Sequence, residues 1–299
     1  MLIVKKFGGS SVADKERILN VAERCVEEYK KGNDVVVVLS AMGKTTDHLI
    51  DMAHDINPNP SKREMDMLLA TGEQTSVALM SMAMATLGVP SVSLNAFQVA
   101  MHTSSSYGNA RFKRIDSDRI RHELDNKKIV IVTGFQGVNK YDDITTLGRG
   151  GSDTTAVALA AVLHADKCEI YTDVDGVFTA DPRVVKTAKK LDAVTYDEML
   201  ELASLGAKVL HNRSVEMAKK YNVELVVRSS LNRSEGTVVK EGSNMEKLLV
   251  TGVAADKDTV RISVIGLEDK PGTAFAVFNT LAANNINVDI ILQSVGREG

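Results

Sequence analysis

Residues 128–164 read KIVIVTGFQGVNKYDDITTLGRGGSDTTAVALAAVLH, and the order of events in this stretch decides the fold class. At its start, Lys128–Thr133 reads as a uniformly apolar strand without alternation. A strand of that kind suits the middle of a sheet covered by helices on both faces. It stops at Gly134-Phe135-Gln136-Gly137, and a polar loop, Tyr141–Thr146, follows. Next comes the glycine-rich Leu147-Gly148-Arg149-Gly150-Gly151-Ser152-Asp153, with a helical pattern, Thr154–His164, directly behind it.

The same grammar recurs on either side. Leu2–Phe7 is a short apolar strand running into Gly8-Gly9-Ser10-Ser11. Ile18, Ala22, Cys25, Val26 and Tyr29 then recur at helical intervals until Gly32-Asn33, and Asp34–Ser40 is another unalternating strand. The methionine-rich Glu64–Leu87 reads as a helix stopped by Gly88 and Pro90. Cys168–Thr172 and Val223–Arg228 read as strands, Tyr196–Leu205 and Ser214–Tyr221 as helices. Strands alternating with helices predict an α/β sandwich around a mainly parallel sheet. Ligands of such sheets bind beyond the carboxyl ends of the strands, so the glycine-rich loops are expected on one edge.

After Leu231 the character changes. Residues 232–247 are polar and read as a linker between a unit at 1–231 and a second at 248–299. In the second unit Leu248–Ala254, Thr259–Ile265 and Asn287–Leu292 read as strands and Thr273–Asn284 as a helix. A β-β-α-β unit this short has little core of its own, which leads us to expect further chain beyond Gly299.

Composition excludes several classes. The 299 residues include 36 Lys+Arg against 39 Asp+Glu, and 44% are hydrophobic, ordinary values for a globular chain with a core. A formal charge of -3 offers nothing to a polyanion, so no nucleic-acid partner is expected. Apolar runs such as Val35–Leu39 fall far below the roughly 20 residues of a membrane span. Cys25 and Cys168 form neither a disulfide framework nor a CxxC site, and a reducing cytoplasmic setting is expected.

Two nucleotide motifs fail on inspection. Ser40-Ala41-Met42-Gly43-Lys44-Thr45 ends like a P-loop, but the first required glycine is Val38. Gly148-Arg149-Gly150-Gly151 fails GxGxxG at Asp153. Lys6-Phe7-Gly8-Gly9 has a cleaner logic: a point charge, then glycines whose N–H groups can approach an anion, against the plainer reading of a tight turn. Arg149 and Asp153 bracket small residues before a helix, where the N-terminus favours anions and Arg grips carboxylates with two parallel bonds. Asp153 is also open to a capping role. The stretch from Tyr171-Thr172-Asp173 to Asp181-Pro182-Arg183 is rich in carboxylates, fit for a metal, for a nucleotide's sugar and base, or for ordinary Asx turns. Gly72-Glu73 is a weak signal alone. The six histidines show no ligand spacing, no metal ligand is assigned, and His211 reads as structural.

Taken together, KFGGSSV, VVLSAMGKTTD, the GE pair, GFQG, TLGRGGSDTTA, YTDVDGVFTADPR, YDEMLELASLGAKVLH, DKPGTAFAVF and NINVDIILQ resemble, in order, the aspartate kinases of the amino-acid kinase superfamily. The resemblance implies ATP and L-aspartate as substrates, with Mg²⁺ held mainly through the phosphates. It implies that Lys6, Gly8, Gly9 and Lys208 hold the ATP phosphates, and that Lys6 also stabilises the group in flight. Asp153 would orient the lysines and touch substrate, together with Ser152. Arg149 would clamp the α-carboxylate and Glu73 the ammonium, with Ser40 and Thr46 as further contacts. Thr172, Asp173, Phe178, Asp181 and Arg183 would form the nucleotide pocket.

The last residues resemble the first half of an ACT domain, implying lysine or threonine as effectors at Asp269, Gly272, Ala274 and Gln293, and a homo-oligomer formed through such domains. Two departures stand out: Asn212 replaces the usual proline after the histidine, and the second half of the paired ACT region is absent from the sequence. Two rival functions remain on the sequence alone, a kinase of glutamate or acetylglutamate and a non-catalytic amino-acid sensor. An N-acetylated substrate would leave Glu73 without an ammonium to receive.

Overall fold

The structure is a computed structural model that describes residues 1–207, 209–242, 251–255, 260–267, 270–284, 286, 288 and 291. Two compact units emerge, Met1–Asp256 and Lys257–Gly299.

The first unit is built on an eight-stranded sheet. In chain order its strands are β1 (Leu2–Phe7), β2 (Asp34–Leu39), β3 (Ser91–Leu94), β6 (Ile129–Thr133), β9 (Lys167–Thr172), β10 (Ala193–Thr195), β11 (Leu225–Ser229) and β12 (Thr237–Lys240). They lie in the order β10-β12-β11-β9-β1-β2-β6-β3, and every pairing is parallel except β11 with β12. A second sheet of short strands, β4 (His102–Thr103), β5 (Phe112–Arg114), β7 (Gln136–Val138) and β8 (Ile144–Thr146), has the order β5-β4-β7-β8.

Helices cover both faces of the large sheet: α1 (Lys15–Lys30), α3 (Lys62–Thr86), α4 (Asp118–Asp125), α5 (Gly151–Leu163), α6 (Tyr196–Ser204) and α7 (Asn212–Tyr221), with α2 (Thr45–Ile56) lying outside the core. Alternating side chains of the central strands feed two cores. Val4, Val36, Val38, Val130 and Val132 pack with α4, α5 and α7, whereas Phe7, Val35, Val37, Ile129 and Ile131 pack with α1 and α3. That two-sided burial is why these strands carry no polar alternation. Helix α5 is apolar all round because it is buried almost throughout.

Three expectations need correction. Helix α5 begins at Gly151, three residues before Thr154, because Gly150 with φ +69° occupies the N-cap; Asp153 is therefore inside the first turn and not the cap. The polar loop 141–146 contains β8, and the expected linker contains β12, whose Thr237 and Val239 are buried.

Of the strands expected at 248–254 and 259–265, the described residues 251–255 and 260–265 form none. Val253 instead donates its N–H to the Thr179 carbonyl (2.8 Å). Val260, Ile262 and Ile265 are exposed, and alternation makes a strand only where a neighbour accepts its ladder bonds. The expected strand at 287–292 falls largely outside the described residues. The second unit's helix is α8 (Thr273–Ala283), which starts after Gly272 at φ +94°. No helix among the described residues is long and apolar enough to cross a membrane.

Candidate active site

Beyond the carboxyl ends of β1, β2 and β6 lies a cavity of about 340 Å³, the edge on which the glycine-rich loops were expected. It is lined by Lys6 of β1 with Gly8 and Gly9 just after it, by Ser40, Ala41 and Gly43 after β2, by Thr46 of α2, and by Glu73 of α3. Phe135 and residues Gly148–Asp153 complete the wall.

The adjacent lysines of β1 show how strand period assigns roles. Successive side chains point to opposite faces. Lys6 faces the cavity, where its Nζ lies 2.6 Å from Asp153 Oδ1, both side chains being 12% exposed. Lys5 points the other way into the core and pairs with Glu169, which also meets Lys167 (2.8 Å), Arg228 (3.3 Å) and the Tyr171 hydroxyl (2.9 Å). Burial alone would raise the Glu169 carboxyl, but Lys5 and Lys167 outweigh it and bring it down to about 2. One lysine is thus part of the core and the other is available to a ligand.

Opposite Lys6, the Glu73 carboxylate is 3% exposed. Its Oε1 accepts a hydrogen bond from the Ala41 N–H (3.2 Å), while its Oε2 is buried without a partner among the described residues. Burial pushes its carboxyl up to about 7. An orphaned carboxylate oxygen at a cavity wall is a receptor waiting for a donor. Arg149 is the fourth charged group on the wall, beside Lys6, Asp153 and Glu73, and among the described residues it forms no ion pair or hydrogen bond. Ser152 and Asp153 occupy the first turn of α5, Thr46 that of α2, and Gly9 opens a 3-10 turn (Gly9–Val12). Helix starts carry free N–H groups and positive partial charge, so this end of the cavity favours anions.

Two glycines are required by space. A Cβ on Gly9 would lie 2.6 Å from the Ala41 carbonyl oxygen, and one on Gly150, at φ +69°, would lie 2.3 Å from the His211 ring. His211 fills the space beneath the arginine loop and accepts from the Arg213 N–H at the start of α7 (3.4 Å), the structural role its sequence context indicated.

Lys6, Gly8, Gly9, Ser40, Thr46, Glu73, Arg149, Ser152 and Asp153 therefore meet in one place. Thr172, the last residue of β9, and Asp173, Phe178, Asp181 and Arg183 on the segment after it lie outside this cavity; β9 runs beside β1. There the Thr172 hydroxyl accepts from the Val174 N–H (3.0 Å), Phe178 bridges to Lys190, and Asp181 pairs with the exposed Arg183 (2.9 Å). Gly272 and Ala274 begin α8 in the second unit; Lys208, Asp269 and Gln293 lie outside the described residues.

Phe135 was not singled out from sequence. It holds φ +68°, rare for a bulky residue, with its N–H on the Thr155 hydroxyl (3.2 Å) and its carbonyl accepting from Leu147 N–H (2.9 Å). Its place between Gly134 and Gly137 was the available signal.

Comparison with known proteins shows the family of the chain. The amino acid kinase family matches residues 1–229 and the ACT domain residues 260–299. An aspartokinase of Bacillus sp. (strain MGA3) is 57% identical over 294 residues, 98% of this chain and 72% of that protein. The aspartate kinase structure from Synechocystis shares 52% identity with a TM-score of 0.74, over 84% of this chain and 41% of that one. E. coli aspartokinase III in complex with aspartate and ADP shares 28% identity with a TM-score of 0.80, over 98% of this chain and 77% of that one. Its complex with lysine and aspartate superimposes similarly, at 27% identity and a TM-score of 0.79, with the same coverage.

Proposed function

The chain belongs to the amino acid kinase family, and we propose that it transfers the γ-phosphoryl group of ATP to the side-chain carboxylate of L-aspartate, giving 4-phospho-L-aspartate. The observation that carries this reading is the convergence of Glu73, Arg149 and the Lys6–Asp153 pair on one cavity.

An α-amino acid presents an ammonium and a carboxylate on one carbon. The Glu73 oxygen and the Arg149 guanidinium, each without a partner among the described residues, receive the first and grip the second, with Ser40, Thr46 and Ser152 as further contacts. The side-chain carboxylate is left free to attack. It is already a nucleophile, so no general base is needed, and the protein's task is alignment and charge cancellation. Lys6, held by Asp153, places its ammonium where charge grows on the moving phosphoryl oxygens. Gly8 and Gly9 let backbone N–H groups approach the phosphates. Lys208 adds a second cation to them. Thr172, Asp173, Phe178, Asp181 and Arg183 hold the nucleoside end.

No cluster of three or more His, Cys, Asp or Glu side chains occurs among the described residues. Mg²⁺ would be carried chiefly by phosphate oxygens, its usual mode. When bound, it adds its charge to that of Lys6.

The ACT segment would sense end-product amino acids. Lysine, alone or with threonine, would contact Asp269, Gly272, Ala274 and Gln293, and ACT pairing would join copies of the chain in the cytoplasm. The test of the reaction is acyl phosphate trapped by hydroxylamine, with Mg-ATP and aspartate, glutamate, acetylglutamate or no acceptor. Hydroxamate with aspartate alone is expected; hydroxamate with acetylglutamate instead would replace the reading.

A further inference from the structure

Two helical turns before Glu73, on the same face of α3, stands a second buried carboxylate, Asp66, 1% exposed. It lines no part of the cavity. Its oxygens accept from the Gly108 N–H (2.9 Å), the Thr146 N–H (2.8 Å) and the Thr146 hydroxyl (2.7 Å). No ion pair reaches it among the described residues, and burial raises its carboxyl above the usual range. Burying a carboxylate on neutral donors alone is an expensive way to hold a loop.

What it holds is specific. Thr146 ends β8, and Leu147-Gly148-Arg149 follow it directly. We propose that Asp66 is a positioning residue that sets the Arg149 loop in register with Glu73, so that helix α3 fixes the separation of the two charges gripping the amino acid. From the far side Arg213 donates to the Leu147 carbonyl (2.6 Å) and the Ala110 carbonyl (3.0 Å), so loss of Asp66 loosens the loop without releasing it.

This inference rests on the aspartate kinase reading, and hydroxamate formation by the unaltered 299-residue chain tests that reading first. Given activity, Asp66→Asn is expected to raise KM for aspartate about tenfold, with KM for ATP unchanged. Because Asp66 acts through Arg149, the same substitution in an Arg149→Ala background should add less than about twofold. An equal loss of kcat with both KM values unchanged, or full additivity in the double variant, would overturn it. Should Asp66→Asn fail to fold, Thr146→Val removes only the hydroxyl donor and must still raise KM for aspartate selectively. An unchanged KM there refutes the proposal.

Discussion

Replacing Glu73 by Gln keeps the side chain's shape and its acceptor toward the Ala41 N–H, but removes the charge facing the cavity. A hydrogen bond to a charged group contributes about 1.5–3 kcal/mol, and this one lies at a site 3% exposed where water competes little. Taking about 2–3 kcal/mol, KM for aspartate should rise roughly 30- to 150-fold, with KM for ATP unaltered.

The raised carboxyl adds a pH signature. With a value of about 7 in the free protein, only the ionised form accepts the substrate ammonium. The kcat/KM for aspartate should therefore fall about tenfold from pH 8 to pH 6, and Glu73→Gln should flatten that limb. Stability moves the opposite way. The folded carboxyl titrates at about 7 against an ordinary value of 4.5, so stability present below about 4.5 is lost as pH rises through 7, roughly 3 kcal/mol in all. Gln carries no such penalty, and at pH 8 the variant should melt at a higher temperature while binding aspartate worse. Steady-state hydroxamate kinetics and thermal melts at pH 6 and 8 decide the matter. An unchanged KM, or a lower Tm at pH 8, would refute the reasoning.

Lys6→Met should lower kcat about 100- to 1,000-fold while leaving the melting temperature nearly intact, since Lys6 faces the cavity and not the core. Glu169→Gln breaks the buried partnership with Lys5 and should destabilise by about 3–5 kcal/mol, read by chemical denaturation. Its acid signature is distinct: a carboxyl held near 2 in the folded state provides stability above about 4.5 that is lost as pH falls towards 2, and the Gln variant lacks that loss. Gly150→Ala meets both a left-handed φ and the His211 ring, and should lower Tm and raise KM for aspartate together, because the strained segment carries Arg149.

Strands β2 and β6 were legible because two-sided burial writes itself as unbroken Val and Ile runs, whereas β1 and β9 carry Lys5, Lys6 and Glu169 within shorter apolar stretches. The strands of the second sheet have two or three residues each, too few to show a period. Strand β12 hides in a Gly- and Ser-containing stretch because its antiparallel pairing with β11 needs only Thr237, Val238 and Val239. Helix α2 carries Leu49, Met52, Ala53 and Ile56 at helical spacing but buries none of them, and its Asp and His residues dilute the pattern. At the site, Lys6, Arg149 and Asp153 were readable because glycines beside a charge are chemically unusual. Asp66 was not, since a lone Asp within a helical pattern looks solvated until Thr146 and Gly108 are brought to it from 80 and 42 residues away.

The most direct test of the phosphotransfer itself is isotopic. With L-aspartate carrying ¹⁸O in its side-chain carboxylate, attack by that carboxylate makes one labelled oxygen the bridge to phosphorus. Hydroxylamine then attacks the carbonyl carbon, and the released phosphate should carry one ¹⁸O per hydroxamate formed. Phosphate free of label would mean that water, and not aspartate, takes the phosphoryl group, and the account would fail.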